Sequence, residues 1–391
     1  MTDGIRGLWT LDPAVTFLNH GSFGACPAQV QEAAARIRAR IEREPVRFFI
    51  GELEALFDEA RAAVAAFLGA AAADLAFVPN ATAGVNTVVR SLELAPGDEL
   101  LTTDHSYNAC RNALEHAAAR AGARVIIAEV PFPTPGPGAV VDAILARVTP
   151  RTRLALIDQV TSPTALVFPV ARLVAELEAR GVDTLVDAAH TPGMLPMAVD
   201  AIGAAYTTGN FHKWVCAPKG AGFLHVRRDR QAGVRPLTIS HGANSPRRDR
   251  SRFRLEFDWT GTADPTPFLC VPEALRFLAS LGPLPELMAQ SHAAALEARR
   301  TLCATLRIAA PCPDEMIGSM ASVPLPLVPA EPQVGPFDPL QEALFRRFGI
   351  EVPIFPFPAP PHRLLRVSTP PYVTPADVAR LAAALVALGV A

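Results

Sequence analysis

The sequence predicts an α/β protein built on a mainly parallel sheet, followed by a smaller α+β unit. Three observations predict this. Between residues 75 and 226, apolar runs of four to seven residues alternate with segments whose apolar positions recur every three or four residues. Strands that are apolar along their whole length and separated by helices form parallel sheets covered on both faces. Beyond residue 265 the texture changes to longer helices and proline-rich stretches.

In chain order, residues 28–44 and 52–68 read as helices ahead of the sheet. Strands are expected at 75–79, 99–103, 124–130, 153–158, 184–187, 204–208 and 222–226, a sheet of the seven-stranded type. Helices are expected between them at 81–92, 107–121, 140–148 and 170–180. Later, 266–280 and 285–306 read as helices, 363–368 as a strand and 374–388 as a capped terminal helix. The proline-rich stretches 324–339 and 353–361 read as rigid loops rather than ligands of proline-binding domains. The expected division is a large domain over 15–262 and a small one over 263–391, with residues 1–14 associating with the small domain.

Composition excludes several classes. Half of the 391 residues are hydrophobic and 19% are charged, enough for a large core. The net charge of −2 argues against a nucleic-acid surface. One basic cluster, Arg247, Arg248, Arg250, Arg252 and Arg254, reads as a solvated loop, an anion site or a subunit contact. The six cysteines form no C-x-x-C pair, so no metal site or redox motif is expected. Their spread fits free thiols in a reducing cytoplasm. No stretch approaches the roughly 18 apolar residues of a membrane span. The N-terminus lacks the pattern of a signal peptide, so a cytoplasmic protein is expected.

Of 36 basic residues only two are lysines, Lys213 and Lys219, both in one short stretch. Arginine substitutes for lysine on surfaces but supplies no neutral amine. Coding bias explains the ratio equally well. Two further strings bear on the question. Residues 77–84 place small residues and Thr82 at a helix start after a strand, which suits a phosphate and equally an ordinary N-cap. Asp187 stands at the carboxyl end of a buried strand, costly unless it faces a cation or caps a turn. Lys213 follows Asp187 by 26 residues, room for one more strand, so a doubly wound sheet brings the two together.

This order resembles that of pyridoxal-phosphate enzymes of fold type I, within the class V aminotransferase family. Leu18-Asn19-His20-Gly21-Ser22-Phe23-Gly24, Gly209-Asn210-Phe211-His212-Lys213-Trp214 and Gly261-Thr262-Ala263-Asp264 resemble its isopenicillin N epimerase-like branch. The resemblance runs from about residue 15 to 380. It implies a Schiff base (internal aldimine) on Lys213, which would later act as base at the substrate Cα. Asp187 would pair with the pyridine nitrogen and His190 would lie near the ring oxygen. Ala81, Thr82 and Ala83 would cradle the phosphate with Asn210 and His212. Thr262 would reach the phosphate of a neighbouring subunit, implying a homodimer with shared sites. Ser162 would border the cofactor, and His105 or Tyr107, with a preference for His105, would cover its ring. Arg366 would clamp the substrate carboxylate. Asn19, His20 and Ser22 would line the substrate pocket, and Arg47 would serve a side-chain carboxylate. Ala165 and Val373 depart from the Gly and Asn frequent in relatives.

The reaction implied is epimerisation of an amino-acid substrate, with Tyr107, His105 or His20 as second acid. Carbon–sulfur lysis of cysteine conjugates or sulfoxides, and transamination, are the alternatives. Cysteine desulfuration is disfavoured. It needs a nucleophilic cysteine on a mobile C-terminal loop, and no cysteine follows Cys312, which lies between two prolines.

Overall fold

The computed structural model describes residues 2–327 and 336–390. Helices α1 (Ala28–Arg43) and α2 (Leu53–Leu68) precede the sheet. A π-helical segment, Arg47–Glu52, joins them and has no sequence signal.

All seven expected strands form: β1 (Leu75–Val78), β2 (Glu99–Thr103), β3 (Arg124–Ala128), β4 (Thr152–Asp158), β5 (Asp183–Ala188), β6 (Tyr206–Asn210) and β7 (Gly222–Val226). They make one sheet in the order β1-β7-β6-β5-β4-β2-β3. β7 runs antiparallel to both its neighbours, and the other pairings are parallel. Helices α3 (Ala81–Ser91), α4 (Asn108–Ala121), α5 (Pro137–Leu145) and α6 (Val170–Glu178) connect the strands.

The continuous apolar runs are explained by two cores. Ala155, Ile157 and Val186 face one core, which includes Val174 of α6. Leu154, Leu156 and Leu185 face the other, with Val85 and Val88 of α3 and Leu114 of α4. Side chains alternate along a strand, so Asp158 and Asp187 share the face covered by α3 and α4.

The C-terminal part holds a three-stranded antiparallel sheet of β8 (Met320–Pro324), β9 (Ile354–Pro356) and β10 (Arg363–Ser368), ordered β9-β10-β8. Helices α7 (Val271–Leu281), α8 (Leu284–Leu306), α9 (Pro339–Phe348) and α10 (Pro375–Ala387) complete it. The expected helix over 266–280 is divided at Cys270, because Pro272 in the first turn of α7 has no N–H to continue a preceding helix. The second proline-rich stretch is more than a loop. It carries β9, an edge strand where Pro356 lacks no needed donor. Of the first stretch, 328–335 lie outside the described residues, and Pro339 opens α9 after its N-cap Asp338. The N-terminal strand Thr16–Phe17 pairs with Ile350–Glu351, and Trp9 packs edge-on against Phe277 and Tyr372. The chain's start is thereby tied to its C-terminal part.

The basic cluster is in part the expected solvated loop, with Arg247, Arg248 and Arg252 exposed, and in part tied to acids. Arg250 and Arg254 pair with Asp58 of α2, Arg254 also with Asp258, and Arg247 with Glu54. Arg252–Phe257 is a helix whose Phe253 and Phe257 enter the core. No helix among the described residues is long and apolar enough to cross a membrane.

Candidate active site

Asp158 and Asp187 end β4 and β5 and are register partners in the parallel pair. Each is 3% exposed. Asp187 Oδ1 accepts from the Ala189 amide at 2.9 Å, and Oδ2 from the Cys110 thiol at 3.3 Å. Asp158 Oδ2 accepts from the Tyr107 amide at 3.2 Å, while Oδ1 has no partner. Burial pushes both carboxyls above their usual range, Asp158 well above.

Lys213 follows β6, and its Nζ lies 3.1 Å from His190 Nε2. Burial, then the Arg366 charge, lower the amine from 10.5 to about 7, against the opposing pull of Asp187. Burial and Lys213 hold His190 well below the usual imidazole range, and its Nδ1 has no partner.

The segment from Leu18 to Gly24 braces this lysine from behind. Gly24 has φ +69°, and a Cβ there would collide with the His212 carbonyl oxygen and meet the Lys213 Cα at 2.9 Å. His20 Nε2 lies 3.0 Å from the Lys213 carbonyl oxygen, and Nδ1 lies 2.7 Å from the Tyr372 hydroxyl. A carbonyl only accepts, so Nε2 carries the proton and the tyrosine O–H donates to Nδ1. Asn19 donates to Glu351 at 2.9 Å. Of the three N-terminal residues expected to line the pocket, only Ser22 does; both His20 nitrogens are engaged, and Asn19 is turned to Glu351.

Arg366 on β10 is 1% exposed. Its Nη1 donates to the Ser162 carbonyl at 2.6 Å and Oγ at 3.2 Å, and its Nη2 to Ser22 Oγ at 3.1 Å. The guanidinium lies over the Phe355 ring at 4.8 Å. Among the described residues it forms no salt bridge, and burial lowers it to about 10. A buried guanidinium held by serines is a ready carboxylate site.

Helix α3 points its N-terminus into the same space. The Ala81 amide donates to Asn210 Oδ1 at 2.8 Å and the Ala83 amide to Asn80 Oδ1 at 2.9 Å. His212 donates from Nδ1 to the Ala221 carbonyl at 3.2 Å, and burial lowers it to about 4. Ala81, Thr82, Tyr107, Asp158, Ser162, Asp187, His190, Asn210, His212 and Lys213 line one cavity of about 290 Å³.

Ala83 and Arg366 are not among the residues lining that cavity, Arg366 reaching its wall through Ser22 and Ser162, and three further expected residues stand elsewhere. His105 is fully buried behind the cavity, with Nδ1 2.7 Å from Thr164 Oγ1 and Nε2 2.9 Å from the Val130 carbonyl, among Phe132, Phe168 and Phe357. It covers nothing in the cavity, so the preference for it over Tyr107 is reversed: Tyr107 is the residue that lines the site. Arg47 is exposed and paired with Glu44 at 2.8 Å, outside the cavity of this chain. Thr262 is also exposed and outside it. The sequence reading missed Asp158, Cys110 and Lys219. Asp158 carries the same signal as Asp187, an acid at the carboxyl end of a buried strand. Cys110 has no signal of its own. Lys219 lines the cavity with its Nζ donating to the Gly24 carbonyl at 3.0 Å.

Pyridoxal phosphate fits this cavity. The buried Asp187 suits a cationic N–H, His190 Nδ1 has no partner among the described residues, and the N-terminus of the 11-residue helix α3 faces the same space. The departure at Ala165 has a physical trace: its φ is +56°, the left-handed region where glycine is at ease.

Comparison with known proteins places the chain. Residues 26–331 match the class-V aminotransferase family. The isopenicillin N epimerase of Amycolatopsis lactamdurans is 38% identical, over 96% of this chain and 96% of that one. The Streptomyces clavuligerus isopenicillin N epimerase is 35% identical over 98% and 97%. A putative L-cysteine desulfhydrase of Oryza sativa subsp. japonica is 32% identical over 88% and 74%. Among solved structures, a variant of C-DES with glycine covalently linked to its PLP cofactor superposes with a TM-score of 0.84 at 19% identity, covering 97% and 98%. That likeness establishes the fold-type I architecture, and the match over most of the chain establishes that this protein belongs to the class-V aminotransferase family.

Proposed function

We propose that the chain is a pyridoxal-phosphate enzyme acting at the Cα of an amino-acid substrate, with epimerisation of the isopenicillin N type as its reaction. When bound, the cofactor holds the substrate amine covalently and draws electrons from Cα, which makes the Cα–H bond acidic. The chain's residues do the rest. Lys213, largely neutral near pH 7, offers a lone pair to hold the cofactor and then to take the Cα proton. Asp187 holds the proton on the ring nitrogen. The start of α3, with Asn210 and His212, faces the phosphate, and Ser162 borders the cofactor. Arg366 orients the substrate carboxylate through two N–H groups. Tyr107 supplies the hydroxyl for the second proton transfer, because His105 and His20 have both nitrogens engaged inside the protein.

One observation carries this reading: a depressed lysine amine and the buried Asp187 line one cavity, and a buried arginine without a salt bridge among the described residues is hydrogen-bonded to Ser22 and Ser162 of its wall. The same reading makes the protein a cytoplasmic homodimer, in which Thr262 serves the neighbouring subunit's site. It also divides the chain near residue 262.

Carbon–sulfur lysis is the second reading, favoured by the 32% identity to a putative L-cysteine desulfhydrase. Desulfuration has no support. Cys312 is 5% exposed, burial raises its thiol, and no cysteine lines the cavity among the described residues. Incubation with pyridoxal phosphate and candidate amino acids in deuterated water tests these readings. Cα deuteration with inversion is expected. Pyruvate with released thiol would favour the lyase, and a keto acid with pyridoxamine phosphate the transaminase.

A further inference from the structure

The second carboxyl of the cavity, Asp158, has no part in the reading above. It stands beside Asp187 on the adjacent strand, where neighbouring backbones run about 4.8 Å apart. Both side chains lie on the face covered by α3 and α4, and both are 3% exposed. Asp187 receives two hydrogen bonds, from Ala189 and Cys110, whereas Asp158 receives one, from Tyr107.

We propose that the two carboxyls share one proton, with Asp158 holding it as a neutral acid and Asp187 carrying the charge, so that Asp158 acts through Asp187 as a positioning residue for the ring nitrogen. Only the last clause rests on the pyridoxal-phosphate reading. Like charges this close and this buried do not both ionise. The better-donated member keeps the charge, because hydrogen bonds stabilise the anion. The other titratable groups facing the pair are Cys110 and Tyr107 at the start of α4, and Lys213 and His190 beyond β5 and β6. Arg366 stands on β10 and acts on Lys213 and Tyr107. Charge balance favours the same state. A second carboxylate would leave a buried negative charge unpaired, because Lys213, the cation acting on both, is itself held toward its neutral form. Burial raises both groups, Asp158 further, in agreement.

The apoprotein provides the test. Trace reductive methylation across pH reads the Lys213 midpoint on its own peptide. Asp158→Asn mimics a neutral acid and is expected to leave that midpoint unmoved, while Asp187→Asn lowers it. The infrared spectrum at neutral pH is expected to show a carboxylic-acid C=O stretch that Asp158→Asn abolishes. Equal downward shifts in both variants, or no acid band in wild type, would overturn the proposal. If Asp158→Asn does not accumulate, Asp158→Thr replaces it. If neither folds, the wild-type band alone decides, its presence supporting the pair and its absence overturning it. No cofactor is involved, so a failure here leaves the pyridoxal-phosphate reading standing, and a protein that never binds the cofactor leaves the pair intact.

Discussion

Nζ of Lys213 lies 3.1 Å from Nε2 of His190, and both groups are held toward their neutral forms. The contact therefore orients the amine more than it charges it. His190→Ala frees the amine to rotate and is expected to lower kcat by about 10- to 100-fold, the range that loss of alignment costs. His190→Gln keeps a polar partner at that distance and is expected to recover most of the loss. Steady-state kinetics on both variants check this.

Lys213 is expected to titrate near pH 7 in the apoprotein. The sign for stability follows. Its folded value lies below its unfolded one, so the penalty is fully present below pH 7 and is relieved as pH rises toward the unfolded value near 10.4. Lys213→Met removes that penalty and is expected to stabilise the apoprotein by about 2 kcal/mol at pH 6, with the gain shrinking at alkaline pH. Urea denaturation at several pH values measures it.

Gly24 packs its backbone on His212 and Lys213 with φ +69°. Gly24→Ala adds a methyl group with no room and forces a left-handed alanine. A loss of about 2–4 kcal/mol is expected. Cofactor capture should weaken as well, because the collision falls on the segment that carries the lysine. Denaturation and absorption titration give the two numbers.

Arg366, at 1% exposure, is held against the cavity wall by hydrogen bonds from Nη1 to Ser162 and from Nη2 to Ser22. Arg366→Lys keeps the charge but loses the planar fork. It is expected to raise KM about 100-fold or more while lowering kcat less, since a carboxylate pair of this kind contributes about 1.5–3 kcal/mol per charged hydrogen bond. A substrate analogue without the carboxylate should not distinguish the two proteins.

Much of this site was legible in the sequence because strand ends and helix starts carry it. β4, β5 and β7 read as largely apolar runs, and Asp187 stood out as an acid at the end of one. The lysine stood out because arginine replaces it nearly everywhere else. What was not legible came from long-range packing. His105 lies close in sequence to Tyr107, yet the strand-to-helix turn puts its ring between Phe168 and Phe357 and leaves Tyr107 at the cavity. Asn19 and His20 looked like pocket residues because Ser22 is one, but the short helix His20–Phe23 turns them toward Glu351 and Tyr372. The pairing of Arg250 and Arg254 was hidden because their acidic partner Asp58 on α2 lies almost 200 residues away in the chain. A local pattern shows neither partner.

The most direct test of the central claim is where pyridoxal phosphate becomes attached. The purified protein is mixed with the cofactor, the visible absorption band is recorded, and borohydride fixes the adduct for peptide mass analysis. The account predicts a yellow protein whose reduced adduct sits on the Lys213 peptide and is lost in Lys213→Ala. A protein that stays colourless, or an adduct on Lys219, would contradict it.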